Sequence, residues 1–221
     1  MSNKFAKFSA SNKSIPINNI FCIGKNYLEH AKEMGGGAPS EPIIFLKPNS
    51  SIIFNGEKII LPKISNNVHH EVELVVLIGK DGKNISETNA LDFVEGFGIG
   101  LDITMRDLQS DARKIGNPWA VSKGFDTSAP ISDFVEKNLI SAPNNLEFDL
   151  KINGTLRQKG NTSNMIFSVE KLISYLSNIF TLQVGDLIFT GTPEGVGKII
   201  EGDKLVANLN NFTKLEVSVA E

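Results

Sequence analysis

His69-His70-Glu71-Val72-Glu73-Leu74 begins the longest strand pattern of the chain, which continues as Val75-Val76-Leu77-Ile78. Branched apolar side chains dominate this run, which predicts a buried strand from His70 to Ile78. Because side chains alternate across a strand, Glu71 and Glu73 should point to one face, and Val72 and Leu74 to the other. The strand therefore carries two carboxylates on one face at its head.

Two neighbouring carboxylates on a buried face repel each other, and burial makes their ionisation costlier still. A divalent cation bound through oxygen would relieve both penalties. Asp102, the only charge in the apolar strand pattern 96–103, is the candidate third ligand beside Glu71 and Glu73. All-oxygen ligation favours Mg²⁺, with Mn²⁺ or Ca²⁺ also suitable. Two alternatives stay open: both glutamates lie on an exposed sheet face, or Asp102 only completes a turn.

A short helix is predicted from Asn26 to Met34, directly before Gly35-Gly36-Gly37. His30 and Glu33 lie at i and i+3, on one face of that helix. A carboxylate beside an imidazole raises its basicity and sets its tautomer, as a general base for water requires. The glycines would let this helix move as a lid. A surface ion pair followed by a solvated loop is the alternative.

A second helix is predicted up to Ile115, with Thr104 as its N-cap and Asp107 completing a capping box. Arg106 and Gln109 lie at i and i+3 in it, so both could reach whatever Asp102 holds.

Two further side chains are candidates for binding an oxyanion. Lys123 is a lone cation in an aromatic-rich stretch and could stabilise an oxyanion or extend from the core to solvent. Thr192 belongs to Gly191–Lys198, which resembles a phosphate loop only superficially. Its hydroxyl and the neighbouring backbone amides could still bind a carboxylate or enolate oxygen.

The 221 residues carry 22 Lys plus Arg against 25 Asp plus Glu. A net charge of -3 disfavours nucleic acid as a partner, since that affinity needs a basic face. No apolar run approaches the roughly 18 residues of a membrane span. We therefore expect a soluble protein, located in the cytoplasm rather than in mitochondria.

Many short strand patterns with few helices predict a β-rich α+β fold. Residues 1–19 read as an N-terminal arm, and residues 20–221 as one domain. Asn55-Gly56 predicts a hairpin between two of the strands. Ser168 should cap the clearest amphipathic helix.

The chain resembles the fumarylacetoacetate hydrolase superfamily, especially its short single-domain acylpyruvate hydrolases and oxaloacetate decarboxylases. The resemblance runs from about Ile20 to Val219. The motifs that carry it are Gly24-Lys25-Asn26-Tyr27, Phe45-Leu46-Lys47-Pro48, His69-His70-Glu71-Val72-Glu73-Leu74, Leu101-Asp102-Ile103-Thr104-Met105-Arg106-Asp107, Asn164-Met165-Ile166-Phe167 and the segment from Gly185 to Gly197.

This resemblance implies a mixed β-barrel or roll of the fumarylacetoacetate hydrolase C-terminal-domain type, with a few short helices, usually as a homodimer. It also implies a role for each candidate residue: metal ligands at Glu71, Glu73 and Asp102; a water-activating pair at His30 and Glu33; an enolate-stabilising Lys123; and substrate contacts at Arg106, Gln109 and Thr192.

The implied function is Mg²⁺-dependent C–C bond hydrolysis of 2,4-dioxo acids, acylpyruvates such as acetylpyruvate or fumarylpyruvate, with oxaloacetate decarboxylation as a side activity. Oxaloacetate enol–keto tautomerisation and 2-hydroxyhepta-2,4-diene-1,7-dioate isomerisation on the same site are alternatives. A non-catalytic protein that binds a metal or a metabolite is the alternative from another class.

Overall fold

A computed structural model of the chain describes residues 4–220. The strands in this range are β1 Phe5–Lys7, β2 Ser14–Pro16, β3 Ile20–Gly24, β4 Ile43–Lys47, β5 Ile52–Ile53, β6 Lys58–Ile60, β7 Val68–His70, β8 Val72–Ile78, β9 Val94–Leu101, β10 Thr104–Met105, β11 Ala129–Pro130, β12 Val135–Glu136, β13 Glu147–Ile152, β14 Thr155–Asn161, β15 Leu187–Phe189, β16 Gly197–Lys198, β17 Lys204–Leu209 and β18 Thr213–Ala220. The α-helices are α1 Leu28–Glu33, α2 Arg106–Ile115, α3 Ala120–Lys123 and α4 Val169–Ile179.

β8 lies inside a six-stranded sheet with the order β12-β9-β8-β15-β3-β4. Every residue from Val72 to Ile78 is buried, which confirms the predicted buried strand over this part. The strand predicted from His70 is interrupted at Glu71, which lies between β7 and β8. Val72, Leu74 and their even-numbered neighbours face a core shared with the five-stranded sheet β14-β13-β17-β18-β6 and with α4. Val75 and Leu77 face a second core on the opposite side. Burial on both faces explains why the strand reads as a nearly continuous apolar run.

The predicted β-rich α+β fold is therefore confirmed. The two large sheets pack over the main core without closing into a cylinder within residues 4–220, so the barrel or roll is an open one. β1 and β2 pair with each other, and Ala6, Phe8 and Ile15 near them are buried in the second core. No helix in the described range is both long and apolar enough to cross a bilayer.

The start of α2 differs from the sequence prediction. Thr104 is not its N-cap, because this residue pairs with His69 in the ladder between β10 and β7. The helix begins one residue after Met105, without a side-chain cap. Asp107 instead accepts hydrogen bonds from the Ser65 hydroxyl and a neighbouring backbone amide. By contrast, the Ser168 hydroxyl accepts a hydrogen bond from the Lys171 amide, so that predicted cap is confirmed.

The hairpin predicted at Asn55-Gly56 is wrong. β5 pairs in parallel with β11, whereas β6 pairs in parallel with β18, so this turn connects two different sheets. The turn is held by β18, because Glu216 donates its amide to the Asn55 side chain and accepts the Gly56 amide.

Gly100 provides a test of packing between the two central strands. It pairs with Glu73, and a Cβ added there would lie 2.7 Å from Phe189 and 2.8 Å from Val75, both buried. We expect Gly100→Ala to lower the free energy of unfolding by about 1–3 kcal/mol, as overpacking does. Urea unfolding in EDTA measures the change. Gly37→Ala is the control, since its Cβ would meet nothing within 4 Å. Equal effects of the two substitutions would contradict the packing.

Candidate active site

Three buried carboxylates converge where β8 begins and β9 ends. Glu71 lies between β7 and β8, Glu73 is the second residue of β8, and Asp102 directly follows β9. Carboxylate oxygens of the three lie within 4.8 Å of one another. The Asp102 amide donates to the Glu71 carbonyl at 2.8 Å, which ties the two strand ends together. Glu71 is only 4% exposed and Glu73 2%, so the alternative of an exposed sheet face is wrong.

Three cations surround this carboxylate triad. Lys123 Nζ donates to Glu71 Oε2 at 2.7 Å and to Asp102 Oδ2 at 2.5 Å. Lys47 Nζ lies 2.8 Å from Asp102 Oδ1, and the Arg106 guanidinium pairs with Glu71 Oε1. Lys123 is 3% exposed, so it does not extend to solvent. Burial lowers the pKa of Lys123, but Asp102 and Glu71 outweigh burial and raise it, so the ammonium stays charged.

The triad members differ in how their charge is compensated. Burial alone would raise the pKa of Glu71, but Lys123 and Arg106 hold it well below its usual range. Glu73 forms no ion pair among the described residues and accepts a hydrogen bond from the Gly191 amide at 2.7 Å. Burial, followed by the charges of Asp102 and Glu71, raises the pKa of Glu73 well above its usual value. Among the described residues, Glu73 is therefore the one carboxylate of the triad without an ion pair, and the nearby charge of Lys123 does not outweigh burial and the other two carboxylates.

The residues present fit a divalent cation. Three carboxylates offer the hard oxygen ligands that Mg²⁺, Mn²⁺ and Ca²⁺ prefer. Asp102 Oδ1 is buried and accepts no hydrogen bond, because the Lys47 ammonium approaches it from an unsuitable direction. This oxygen keeps a lone pair available for a ligand bond, and Glu73 needs positive charge. Ligand roles for these three residues remain predictions.

His30 and Glu33 form the pair expected from their spacing on α1. His30 Nδ1 lies 3.2 Å from Glu33 Oε2, and Glu33 Oε1 accepts the Gly195 amide at 3.3 Å. His30 is buried, so a plain surface pair does not describe it. Burial lowers the pKa of His30 and outweighs the opposing effects of Glu71 and Glu33, which leaves the imidazole neutral at pH 7. With Nδ1 donating to Glu33, Nε2 keeps its lone pair as a base.

One cavity of about 30 Å³ unites the candidates. It is lined by eight of the nine: His30, Glu71, Glu73, Asp102, Arg106, Gln109, Lys123 and Thr192. Glu33, the ninth, does not line the cavity but pairs with His30, which does. Arg106 donates to Gln109 Oε1 at 2.6 Å, so two of the three substrate-contact candidates are linked to each other and, through Arg106, to Glu71.

Sequence reasoning missed two buried polar residues of this region. Lys47 Nζ donates to the carbonyls of Ser128 and Lys123 beside Asp102. The sequence feature that could have indicated this role is the single charge of Lys47 at the end of an apolar strand pattern. Gln158 on β14 has hydrogen-bond partners for both polar atoms of its side-chain amide. Oε1 accepts from His70 Nδ1 and the Val72 amide, while Nε2 donates at 2.9 Å to the Thr192 hydroxyl. Nothing in its polar strand pattern indicated this role.

Comparison with known proteins shows the family of the chain. Residues 19–220 match the family described as fumarylacetoacetate (FAA) hydrolase, C-terminal, and the chain belongs to this family of enzymes. The mitochondrial oxaloacetate tautomerase of Bos taurus is 46% identical over 201 residues, 91% of each chain. Its Arabidopsis thaliana counterpart is 47% identical over 90% of each chain. An uncharacterised Pyrococcus horikoshii protein is 52% identical over 90% of this chain and 87% of its own.

Solved structures show the same likeness. The fumarylpyruvate hydrolase of Pseudomonas aeruginosa, in complex with Mn²⁺ and pyruvate, is 36% identical with a TM-score of 0.96, over 100% of this chain and 97% of its own. The 5-carboxymethyl-2-hydroxymuconate delta-isomerase of Mycobacterium smegmatis is also 36% identical, with a TM-score of 0.83 over 95% and 86% of the two chains.

Replacing Glu73 with a neutral residue should weaken metal binding without lowering the stability of the folded protein. A carboxyl whose pKa is raised on folding destabilises the folded chain at pH values above its ordinary pKa. Glu73→Gln removes this penalty, so we expect its melting temperature in EDTA at pH 7.5 to equal or exceed that of the unsubstituted protein. Mn²⁺ affinity, measured by calorimetry, should fall by at least roughly 10- to 100-fold, the loss expected even for an outer partner of a metal site.

Asp102→Asn is the matched variant. It leaves Lys47 and Lys123 buried with less negative charge, so it should lose up to about 3–5 kcal/mol of stability in EDTA as well as Mn²⁺ binding. Unchanged Mn²⁺ affinity in both variants would exclude the triad as the metal site.

Proposed function

We propose that this protein is a divalent-metal-dependent enzyme of 2-oxo acids whose main reaction is the enol–keto conversion of oxaloacetate. The observation that carries the proposal is the neutral His30, oriented by Glu33, in the same cavity as the carboxylate triad. The choice of oxaloacetate is supported by relatives named oxaloacetate tautomerase, at 44–47% identity over about nine tenths of both chains. Mg²⁺ is the expected metal, and Mn²⁺ the alternative that the Pseudomonas complex supports.

Glu71, Glu73 and Asp102 would hold the metal, which when bound withdraws electron density from the 2-oxo group and makes the protons on C3 more acidic. The remaining chemistry belongs to side chains of the chain itself. His30 Nε2 takes a proton from C3 of the keto form, and Glu33 stabilises the imidazolium that results. In the reverse direction the imidazolium returns this proton to C3.

Charge that develops on the oxygen at C2 needs nearby positive groups in a site sheltered from water. Lys123 is buried and stays protonated. Arg106 would provide a second cation, and the Thr192 hydroxyl and the Gln109 amide, which line the same cavity, would bind carboxylate oxygens of the substrate. The enolate oxygen takes up one proton from solvent and the His30 imidazolium returns one to solvent, which balances the proton taken from C3. No carbon–carbon bond breaks and no net water is consumed.

Hydrolysis of acylpyruvates is the second candidate, because the same histidine can take a proton from water instead of from C3. The likeness to a fumarylpyruvate hydrolase at a TM-score of 0.96 favours this reaction. Oxaloacetate decarboxylation would need the metal site but no activated water.

Membership of an enzyme family leaves the non-catalytic alternative without support. The homodimer and the cytoplasmic location stay predictions.

One assay series tests the proposal. Purified protein is given enol-oxaloacetate, oxaloacetate, acetylpyruvate and fumarylpyruvate, each with Mg²⁺ and with EDTA, and the absorbance change is followed. We expect the enol–keto conversion to have the largest kcat/KM and to require the metal. A larger kcat/KM for either acylpyruvate would establish the hydrolase instead, and full activity in EDTA would exclude the metal-dependent mechanism.

His30→Gln should lower kcat for the enol–keto conversion by about 100-fold or more, since general acid–base groups contribute 10²–10⁴-fold. Its melting temperature and Mn²⁺ affinity should remain those of the unsubstituted protein. Glu29→Gln is the control, because Glu29 is an exposed residue of the same helix whose one ion-pair partner among residues 4–220 is Lys32. Retained activity in His30→Gln would remove His30 from the mechanism.

A further inference from the structure

α2 presents a third polar side chain to the cavity, beyond the two that its spacing predicted. Arg106, Gln109 and Arg113 follow one another at i, i+3 and i+7, which places them along one face of the helix. All three line the cavity. Arg106 reaches the triad, whereas Arg113 lies nearly two turns further along, about 10 Å by helix rise, and is exposed at the cavity rim.

Lys25, the residue that follows β3, lines the same cavity and is half-buried. Its neighbour Asn26 is anchored on both sides, with its amide donating to the Thr190 carbonyl at 2.7 Å and its carbonyl accepting the Phe167 amide at 2.7 Å. Lys25 itself has a φ of +58°, a left-handed conformation that is costly for lysine. The Lys25 ammonium lies 2.9 Å from where a Cβ of Gly36 would be, against the glycine-rich segment.

These two cations lack the compensation that the inner cations have. Lys123, Lys47 and Arg106 each pair with a carboxylate of the triad. Within residues 4–220, neither Lys25 nor Arg113 has a carboxylate within 4.0 Å. Burial, and then the charge of Arg113, lowers the pKa of Lys25, so the two groups repel each other. Two like charges that face one cavity without a counter-ion are an arrangement that an anionic ligand stabilises.

We propose that Lys25 and Arg113 bind the distal carboxylate of a dicarboxylic 2-oxo acid whose 2-oxo end lies at the Glu71–Glu73–Asp102 triad. This inference rests on the proposed function for the position of the 2-oxo end, and it narrows the substrate class. Oxaloacetate and fumarylpyruvate both carry a second carboxylate, whereas acetylpyruvate does not. The pair would therefore favour the first two over the third, whichever reaction the enzyme performs.

Binding of two unreactive probes to the Mn²⁺-loaded protein tests the pair without any turnover. 2-Oxoglutarate and 2-oxopentanoate have the same five-carbon chain, but only the first has a distal carboxylate. We expect calorimetry to show 2-oxoglutarate bound at least roughly 10-fold more tightly, since hydrogen bonds to charged groups are strong enough for such a difference. Lys25→Met and Arg113→Met should each remove most of this preference and leave 2-oxopentanoate affinity unchanged.

Lys114→Met is the matched control, because it makes the same charge change one residue away, on a side chain that pairs with Asp111 outside the cavity. It should keep the preference, which excludes an effect of net charge alone. Equal binding of both probes by the unsubstituted protein would overturn the cation pair. Equal weakening of both probes by the two variants would overturn it as well, because the pair would then affect the whole site.

Failure of the inference and failure of the proposed function give different results. If both probes bind equally well while the enol–keto assay succeeds, only the cation pair is wrong. If Mn²⁺ binds but neither 2-oxo acid does, the 2-oxo end does not lie at the triad, and both proposals fall together.

Discussion

The structure depends on keeping three carboxylates buried where β8 and β9 end. Each buried ion costs several kcal/mol of solvation, so the triad persists only with compensation. Lys47, Lys123 and Arg106 supply it, and they come from β4, α3 and α2. The three elements that surround the cavity are thereby held against the sheet by the same charges that define the site. Compensation is incomplete at Glu73, and this deficit is what a divalent cation would correct.

The rest of the architecture positions this charge cluster rigidly. β8 is buried on both faces, so its head has no freedom to turn the glutamates toward solvent. Gln158 links the amide of Val72 to the Thr192 hydroxyl, and therefore couples the start of β8 to the loop that closes the cavity. Asn26 performs a similar task between β3, the loop after β15 and the segment before α4. Fully satisfied buried amides of this kind specify a unique arrangement of the backbone.

The proposed general base lies on a short element at one side of the cavity. His30 belongs to a helix of six residues that is followed by a glycine-rich segment. Its partner Glu33 contacts the opposite loop through the Gly195 amide. The proposed base is thus carried on a small element, whereas the proposed metal ligands lie at the ends of strands of the large sheet. A rigid metal site with a base on a short helix suits proton transfer to a substrate that must enter and leave.

Local periodicity in the sequence was sufficient for several features. The alternation of the predicted strand 70–78 indicated that Glu71 and Glu73 lie on one side, and the two do meet although Glu71 precedes β8. The i, i+3 spacing placed His30 beside Glu33 and Arg106 beside Gln109. The order of the sequence motifs along the chain identified the family. These predictions succeeded because each depends on residues close together in one element, or on the order of motifs along the chain. Even so, the prediction of a capping box at Thr104 was wrong, because Thr104 pairs with His69 in a β-ladder.

Tertiary structure alone decided which distant groups meet. Lys123 reaches Glu71 across 52 positions, and Gln158 reaches His70 across 88. The Asn55-Gly56 turn joined two sheets instead of one hairpin, because β5 and β6 found partners far along the chain. Ile115, the residue at which the sequence predicts the end of α2, is 71% exposed, whereas the polar Gln109 of the same helix is buried at the cavity. Such contacts depend on how whole sheets and helices pack, and a buried charge is stabilised only by the partners that packing brings to it.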